Sequence, residues 1–169
     1  MKIYLGTDHA GIFLKNKVKE MLNTLRHEVI DCGAYEFDKN DDYPDFIGKV
    51  AEYVSNDSEN SRGIIFGGSG QGEAMVANKY KNIRCALFYS KAIPIHAVDA
   101  DERISADPLE IIKLTREHNH ANVLSIGARF VTEEDALAVI KLWLNTNLSI
   151  DERHSRRVEK IKKIEQNSK

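Results

Sequence analysis

Five short, nearly continuous apolar runs punctuate the chain: 2–6 (KIYLG), 28–32 (EVIDC), 63–67 (GIIFG), 83–88 (IRCALF) and 122–127 (NVLSIG). Stretches of helical period separate them. Leu14, Val18, Met21, Leu22 and Leu25 recur at the spacing of one helix face. A second helix fits 44–54, where Pro44 is tolerable in a first turn. A third begins near Gln71, a fourth covers about 108–118, and a fifth follows 132–135, with Thr132 able to cap it. Short apolar strands alternating with helices predict an α/β fold, a parallel sheet covered on both faces. At 169 residues the chain suits one domain.

In such sheets ligands gather at the carboxyl ends of the strands. The first strand runs into 7–11 (TDHAG), the second leads to 41–45 (DDYPD), and the third to 66–73 (FGGSGQGE). The fifth leads to Arg129, and 116–122 (REHNHAN) stands just before it. These carboxylates, imidazoles and the guanidinium are therefore expected to converge on one edge. The glycine loop is not a P-loop, because no GK[ST] follows, and it lacks the dinucleotide spacing. It is either a structural tight turn or a turn that leaves room for a ligand. The carboxylate that follows at once, Glu73, would hinder a nucleotide and suits carbon-acid chemistry.

Composition narrows the classes further. The 24 basic and 26 acidic residues give a net charge of −2, which argues against a general nucleic-acid or membrane surface. No apolar run reaches the roughly 18–20 residues of a spanning helix, and the start lacks a signal peptide's apolar region. The expected location is the cytoplasm. Cys32 and Cys85 form no CxxC pair and read as buried free thiols. His118 and His120 are two apart and no HExxH occurs, so no metal is expected. The segment 151–166 is a basic amphipathic helix with Arg153, Arg156 and Arg157 near its start, either a solvated face or a phosphate clamp.

Six motifs in order (GTDHAG, DYPD, GGSGQGE followed by ANK, REHNHAN, IGAR and RHSRR) resemble the ribose-5-phosphate isomerase type B family, which also holds galactose-6-phosphate isomerase subunits. The resemblance covers nearly the whole chain. It implies a three-layer α/β/α Rossmann-like domain over 1–148 with a five-stranded parallel sheet. The C-terminal basic helix, 149–169, would belong to the same domain and extend to a partner subunit. The implied activity is aldose–ketose isomerisation of a sugar phosphate, with ribose 5-phosphate and ribulose 5-phosphate first. A hexose 6-phosphate isomerase (allose or galactose) and a non-catalytic sugar-phosphate-binding module are the alternatives. The resemblance implies no cofactor, and a homodimer with shared sites that could pair further into a tetramer.

By resemblance, Asp8 and His9 contact the sugar and the phosphate end, His118 opens the furanose ring, and Asn119 holds the substrate. Arg129, Arg153 and Arg157 match phosphate-binding arginines, the last two reaching a partner's site. Tyr43 matches a site-lining tyrosine. Gly68, Gly70 and Gly72 line the loop, their neighbouring N–H groups suited to an oxyanion, and Ser69 relays or donates a hydrogen bond. Two departures stand out. Many members carry a catalytic cysteine where this chain has Gly67 or Gly68, whereas a subgroup has a glutamate that Glu73 matches as the base. The connection 91–107 also exceeds the family's usual length, and after a strand's carboxyl end it is expected to form a lid or rim, or else a surface excursion.

Overall fold

Each apolar run becomes a strand of one parallel sheet: β1 (Lys2–Thr7), β2 (Glu28–Asp31), β3 (Ser61–Gly67), β4 (Cys85–Phe88) and β5 (Val123–Gly127). The helices are α1 (Ile12–Thr24), α2 (Tyr43–Asn56), α3 (Gln71–Ala77), α4 (Glu110–Glu117), α5 (Glu133–Asn145) and α6 (Glu152–Asn167), with a 3-10 turn at His9–Gly11. This computed structural model describes residues 1–167, so the last two residues of the segment expected over 149–169 lie outside it. No helix among the described residues is long and apolar enough to cross a membrane.

The strand order is β2-β1-β3-β5-β4, so β3 is central. Register is set along its length, from Lys2 opposite Ser61 to Thr7 opposite Phe66 and from Gly63 opposite Val123 to Gly127 opposite Gly67. Alternation then sorts the side chains by face. Ile3, Leu5, Ile64, Phe66, Leu124 and Ile126 pack with α1, α4 and α5 around Trp143. Tyr4, Ile65 and Val123 face the other way, onto Ile47, Val50 and Val54 of α2 and Ala77 of α3. The three-layer fold expected from the sequence is the fold observed. The chain leaves β1 toward β2 on one side and returns through β3 on the other. That reversal opens a crevice between the carboxyl ends of β1 and β3.

Local chemistry explains most boundaries. Thr132 accepts a hydrogen bond from Asp135 N–H at 3.1 Å and caps α5. Leu25, expected on the buried face of α1, instead falls just past its end and is 47% exposed. Lys15 takes an interior place that periodicity would give to an apolar residue. It is 1% exposed, and its Nζ donates to Asp31 Oδ1 at 2.6 Å and to the Ala34 carbonyl at 2.7 Å. Lys19 adds a contact to Asp31 at 3.0 Å. Burial alone would raise the Asp31 carboxyl, but hydrogen bonds from Lys15, Lys19 and Gly33 N–H outweigh it and hold the group below its ordinary value.

The long connection is braced as a strap along α4. Arg103 donates to Asp99 at 2.8 Å and to the buried Glu110 at 2.7 Å, and its Nη2 lies 3.9 Å from Glu117, two turns further along α4. Lys113 closes on Asp107 at 2.6 Å. These pairings draw the connection away from the closing edge of the sheet, where it begins. The last helix packs on its own body: His154 and Val158 are buried, and Glu165 accepts from Asn82 N–H at 3.0 Å.

The Lys15–Asp31 pair generates a stability prediction. Lys15→Ala leaves a buried carboxylate with only its outer partners and is expected to cost roughly 3 kcal/mol in urea unfolding at pH 7. Because the folded Asp31 carboxyl is depressed, that contribution is present at neutral pH and lost as pH falls through its folded value. The gap between wild type and variant should therefore narrow in acid. A constant gap would assign the loss to packing alone.

Candidate active site

The crevice between β1 and β3 receives its first residues from the end of β1. Asp8 is buried, and its Oδ1 accepts from Ala10 N–H at 3.0 Å, capping the short turn that follows. The next residue, His9, is held by Asp41, the first acid of DDYPD, to which the motif alone assigns no role. His9 Nδ1 lies 2.6 Å from Asp41 Oδ1, and Phe37 packs edge-on against the ring at 5.6 Å. A carboxylate only accepts, so Nδ1 carries the proton and Nε2 is left for other work. The second oxygen, Asp41 Oδ2, is buried without a partner. Asp8, His9 and Asp41 are the one group among the described residues whose ligand atoms lie close enough, within 4.8 Å, to hold a cation. In this geometry Nδ1 is already engaged by Asp41.

The glycine loop follows β3 and is pinned to β5 on three levels. Ala128 N–H donates to the Gly67 carbonyl at 2.8 Å, Arg129 N–H to Gly68 at 3.1 Å, and Ser125 Oγ to Gly70 at 2.7 Å. Ser125 is a fully buried polar residue within an apolar strand, and that break in an otherwise apolar pattern is the signal that could have flagged it. Gly70 has φ of +76°, a left-handed conformation that suits glycine. A Cβ on Gly68 would sit 3.2 Å from Arg129 Nη1, and one on Gly72 would meet the Tyr43 ring at 2.7 Å. The fold thus gathers Asp8, His9, Gly68, Ser69, Gly70, Gly72, Arg129 and Tyr43 at the closing edge.

At Gly67 the sterics decide the chemistry. Any Cβ there would overlap the carboxylate of Glu73. Position 67, rather than 68, is therefore where a cysteine and this glutamate would contend for one space. Glu73 is 4% exposed. Burial raises its carboxyl above the ordinary value; its own backbone N–H pulls the other way, and the Asp8 charge adds to the rise. Neither thiol competes for the role. Burial pushes Cys32 up to about 11 and holds Cys85, whose thiol is enclosed, well above its ordinary value.

His118 and Asn119 are elsewhere. They follow α4, which runs back across the sheet, and so lie at the opening edge, where Arg84 N–H donates to Asn122 Oδ1 at 2.8 Å and Arg84 Nε to the His120 carbonyl at 3.0 Å. A segment that precedes a parallel strand sits at the end opposite the loop that follows it, which corrects the expectation of one shared edge. His118 stacks on the buried His154 with ring centroids 4.0 Å apart and planes 7° from parallel. Burial lowers the His118 imidazole, as do His154 and Arg153, while Glu117 and Asp99 oppose them. Arg153 Nε is 3.4 Å from His154 Nε2 and 2.7 Å from Asp151, and Arg157 is exposed one helical turn on. His154 carries no signal of its own in the sequence, where arginines flank it within RHSRR.

A model of the Ribose/Galactose Isomerase family matches residues 3–102 and 106–161. Ribose-5-phosphate isomerase B of Mycobacterium tuberculosis is 39% identical over 165 residues, covering 98% of this chain and 90% of that protein. Among solved structures, ribose-5-phosphate isomerase B of Mycoplasma genitalium with bound ribulose-5-phosphate superposes with a TM-score of 0.85 at 35% identity, covering 99% of this chain and 97% of that one. The Clostridium thermocellum enzyme of the same name gives 0.82 at 35% identity, covering 99% of both chains.

A buried, uncompensated Glu73 carries a stability signature. A carboxyl raised in the folded state contributes stability at low pH that is lost as pH rises through its folded value. Glu73→Gln is therefore expected to raise Tm at pH 7 and to leave it nearly unchanged at pH 4. A lower Tm at pH 7 would mean that the charge merely complements the start of α3.

Proposed function

The chain belongs to the ribose/galactose isomerase family, and on that premise we propose that it interconverts ribose 5-phosphate and ribulose 5-phosphate through an enediolate. The observation that carries the reading is the buried Glu73 carboxylate lodged beneath Gly67 at the end of the central strand. In the open-chain aldose, Glu73 accepts the proton from C2. The C–H electron pair forms the C1–C2 double bond as the carbonyl pair moves onto O1. Backbone N–H groups of Gly70 to Gly72 and the Ser69 hydroxyl meet the charge that develops there. The hydroxyl proton of O2 passes to O1 by way of Ser69, and Glu73 returns its proton to C1 as C2 becomes the ketone. One carbon is oxidised and its neighbour reduced, so the reaction balances within the substrate.

Burial of Glu73 keeps the carboxyl a useful base near neutral pH. Asp8 orients the sugar hydroxyls, Tyr43 lines the cavity, and His9, fixed by Asp41, meets the phosphate end with Arg129. Ring opening is the work of His118, with Asn119 beside it. One chain holds these two residues at the opposite edge of the sheet from Glu73. A second copy must therefore supply His118, Asn119, Arg153 and Arg157, so the working unit is a homodimer with two shared sites. The two unpaired cysteines suit a reducing cytoplasm.

Kinetics of the protein and its variants test the reading. On a panel of pentose and hexose phosphates, ribose 5-phosphate should be the favoured substrate. Glu73→Gln should lose at least about 10²-fold in kcat with little change in KM. The Cys32→Ser, Cys85→Ser double variant should keep its activity. Sensitivity to thiol alkylation alongside an active Glu73→Gln would overturn the assignment.

Site sharing is tested by complementation. Inactive Glu73→Gln and inactive His118→Ala chains, unfolded and refolded together in equal amounts, should regain roughly a quarter of wild-type activity, because half of the randomly paired dimers rebuild one intact site. No recovery from well-folded mixed dimers would show that each site is built from one chain.

A further inference from the structure

The opening edge of the sheet holds a second concentration of charge that the isomerisation does not use. Arg62, the second residue of β3, Arg84 just before β4, and Arg116 in the last turn of α4 line a pocket of about 220 Å³. His120 and Asn122 complete its floor, and Ser155, Val158 and Lys162 of α6 form its cover. Arg116 is 7% exposed.

Every protein acceptor these guanidiniums reach is a backbone carbonyl. Arg62 Nη1 donates to Ser61 at 2.6 Å and Glu59 at 3.2 Å, Arg84 Nε to His120 at 3.0 Å, and Arg116 Nη1 to Ala121 at 2.5 Å. Among the described residues, none of the three pairs with a carboxylate within 4.0 Å, although the crevice side of the molecule and the strap along α4 are laced with such pairs. Glu59 and Glu159 stand in the lining, and Glu59 and Glu165 supply the nearest opposing charge, against three arginines and Lys162. Burial, and then repulsion from Arg62 and Arg84, lowers Arg116 to about 10. His120 Nε2 is buried in the same place without a partner, and the residue is held at φ of +51°.

Guanidinium groups kept together at this cost, each with donors left over, are the usual apparatus for a tetrahedral oxyanion. We propose that this pocket is a second anion site, which takes a phosphate group between Arg62, Arg84 and Arg116, with His120 Nε2 as a further ligand. It differs from the phosphate end of the sugar site in residues, since His9, Arg129, Arg153 and Arg157, the groups proposed for that end, do not line this pocket. The occupant is inorganic phosphate, held in the roughly 220 Å³ pocket. Its rim is the segment 116–122, so an occupant stiffens the stretch that carries His118.

The test counts phosphate rather than turnover, so it stands apart from the proposed reaction. Equilibrium dialysis of inorganic phosphate against the intact protein should find two sites per chain, one of them displaced by ribose 5-phosphate. Arg62→Gln should weaken the undisplaced site at least ~10-fold, while phosphate inhibits the isomerase as before. His120→Asn, which tolerates the left-handed backbone and removes Nε2, is an independent second variant and should weaken the same site. A single site in the wild type, fully displaced by the sugar phosphate, would overturn the proposal. So would an undisplaced site indifferent to both substitutions.

Discussion

A carboxylate buried without a cation is the constraint around which the closing edge is arranged. Three enclosed acidic side chains, Asp31, Glu110 and Glu73, are treated differently. Asp31 receives Lys15 and Lys19, and Glu110 receives Arg103 and Ser105. In both, hydrogen bonds from these partners outweigh desolvation and hold the carboxyl low. Glu73 receives its own backbone N–H and the repulsion of Asp8, and desolvation prevails. A structural acid is neutralised by its neighbours; an acid left costly in this way is a candidate for proton transfer, the role proposed for Glu73. Room for it exists because position 67 has no side chain.

Holding that carboxylate in place is the task of the backbone around it. The loop after β3 would be free to move on glycine alone. Three hydrogen bonds from the end of β5 fix it, and the Ser125 bond to Gly70 reaches the residue that opens α3. Strand order makes this possible. With β5 between β3 and β4, the turn that carries Arg129 lies beside the glycine loop, and the parallel register ends both strands level at Gly67 and Gly127. Small residues at both ends let the two turns approach.

Charge is divided between the two edges of the sheet. The closing edge collects Asp8, Asp41 and Glu73 about one arginine. The opening edge collects Arg62, Arg84, Arg116 and the first turn of α6, near the His118–His154 stack. The strap from 91 to 107 adds its own acids and Arg103 along α4, so it braces the helix that ends at His118.

How much of this was legible in the sequence follows from how local each signal is. Strand and helix identity, the parallel sheet, the cap at Thr132 and the importance of the glycine loop with its glutamate were readable, because periodicity and turn chemistry act over a few residues. Motif order carried the family. What needed the third dimension was everything set by long-range packing. The segment 116–122 was expected beside Glu73, but a chain that must cross back over the sheet before β5 leaves it at the far edge. Lys15 reads as a polar residue on a helix until Asp31 and Ala34 arrive from β2 and the loop after it to enclose it. Asp41 and Ser125 acquire their partners across 32 and 55 residues of chain. The choice of Gly67 over Gly68 as the place where thiol and carboxylate exclude each other depends on the direction of one absent Cβ. Sequence fixed which groups were present and how each stretch would coil; distances between groups far apart in the chain, and with them the charges that stay unpaired, were decided by the packing of the layers.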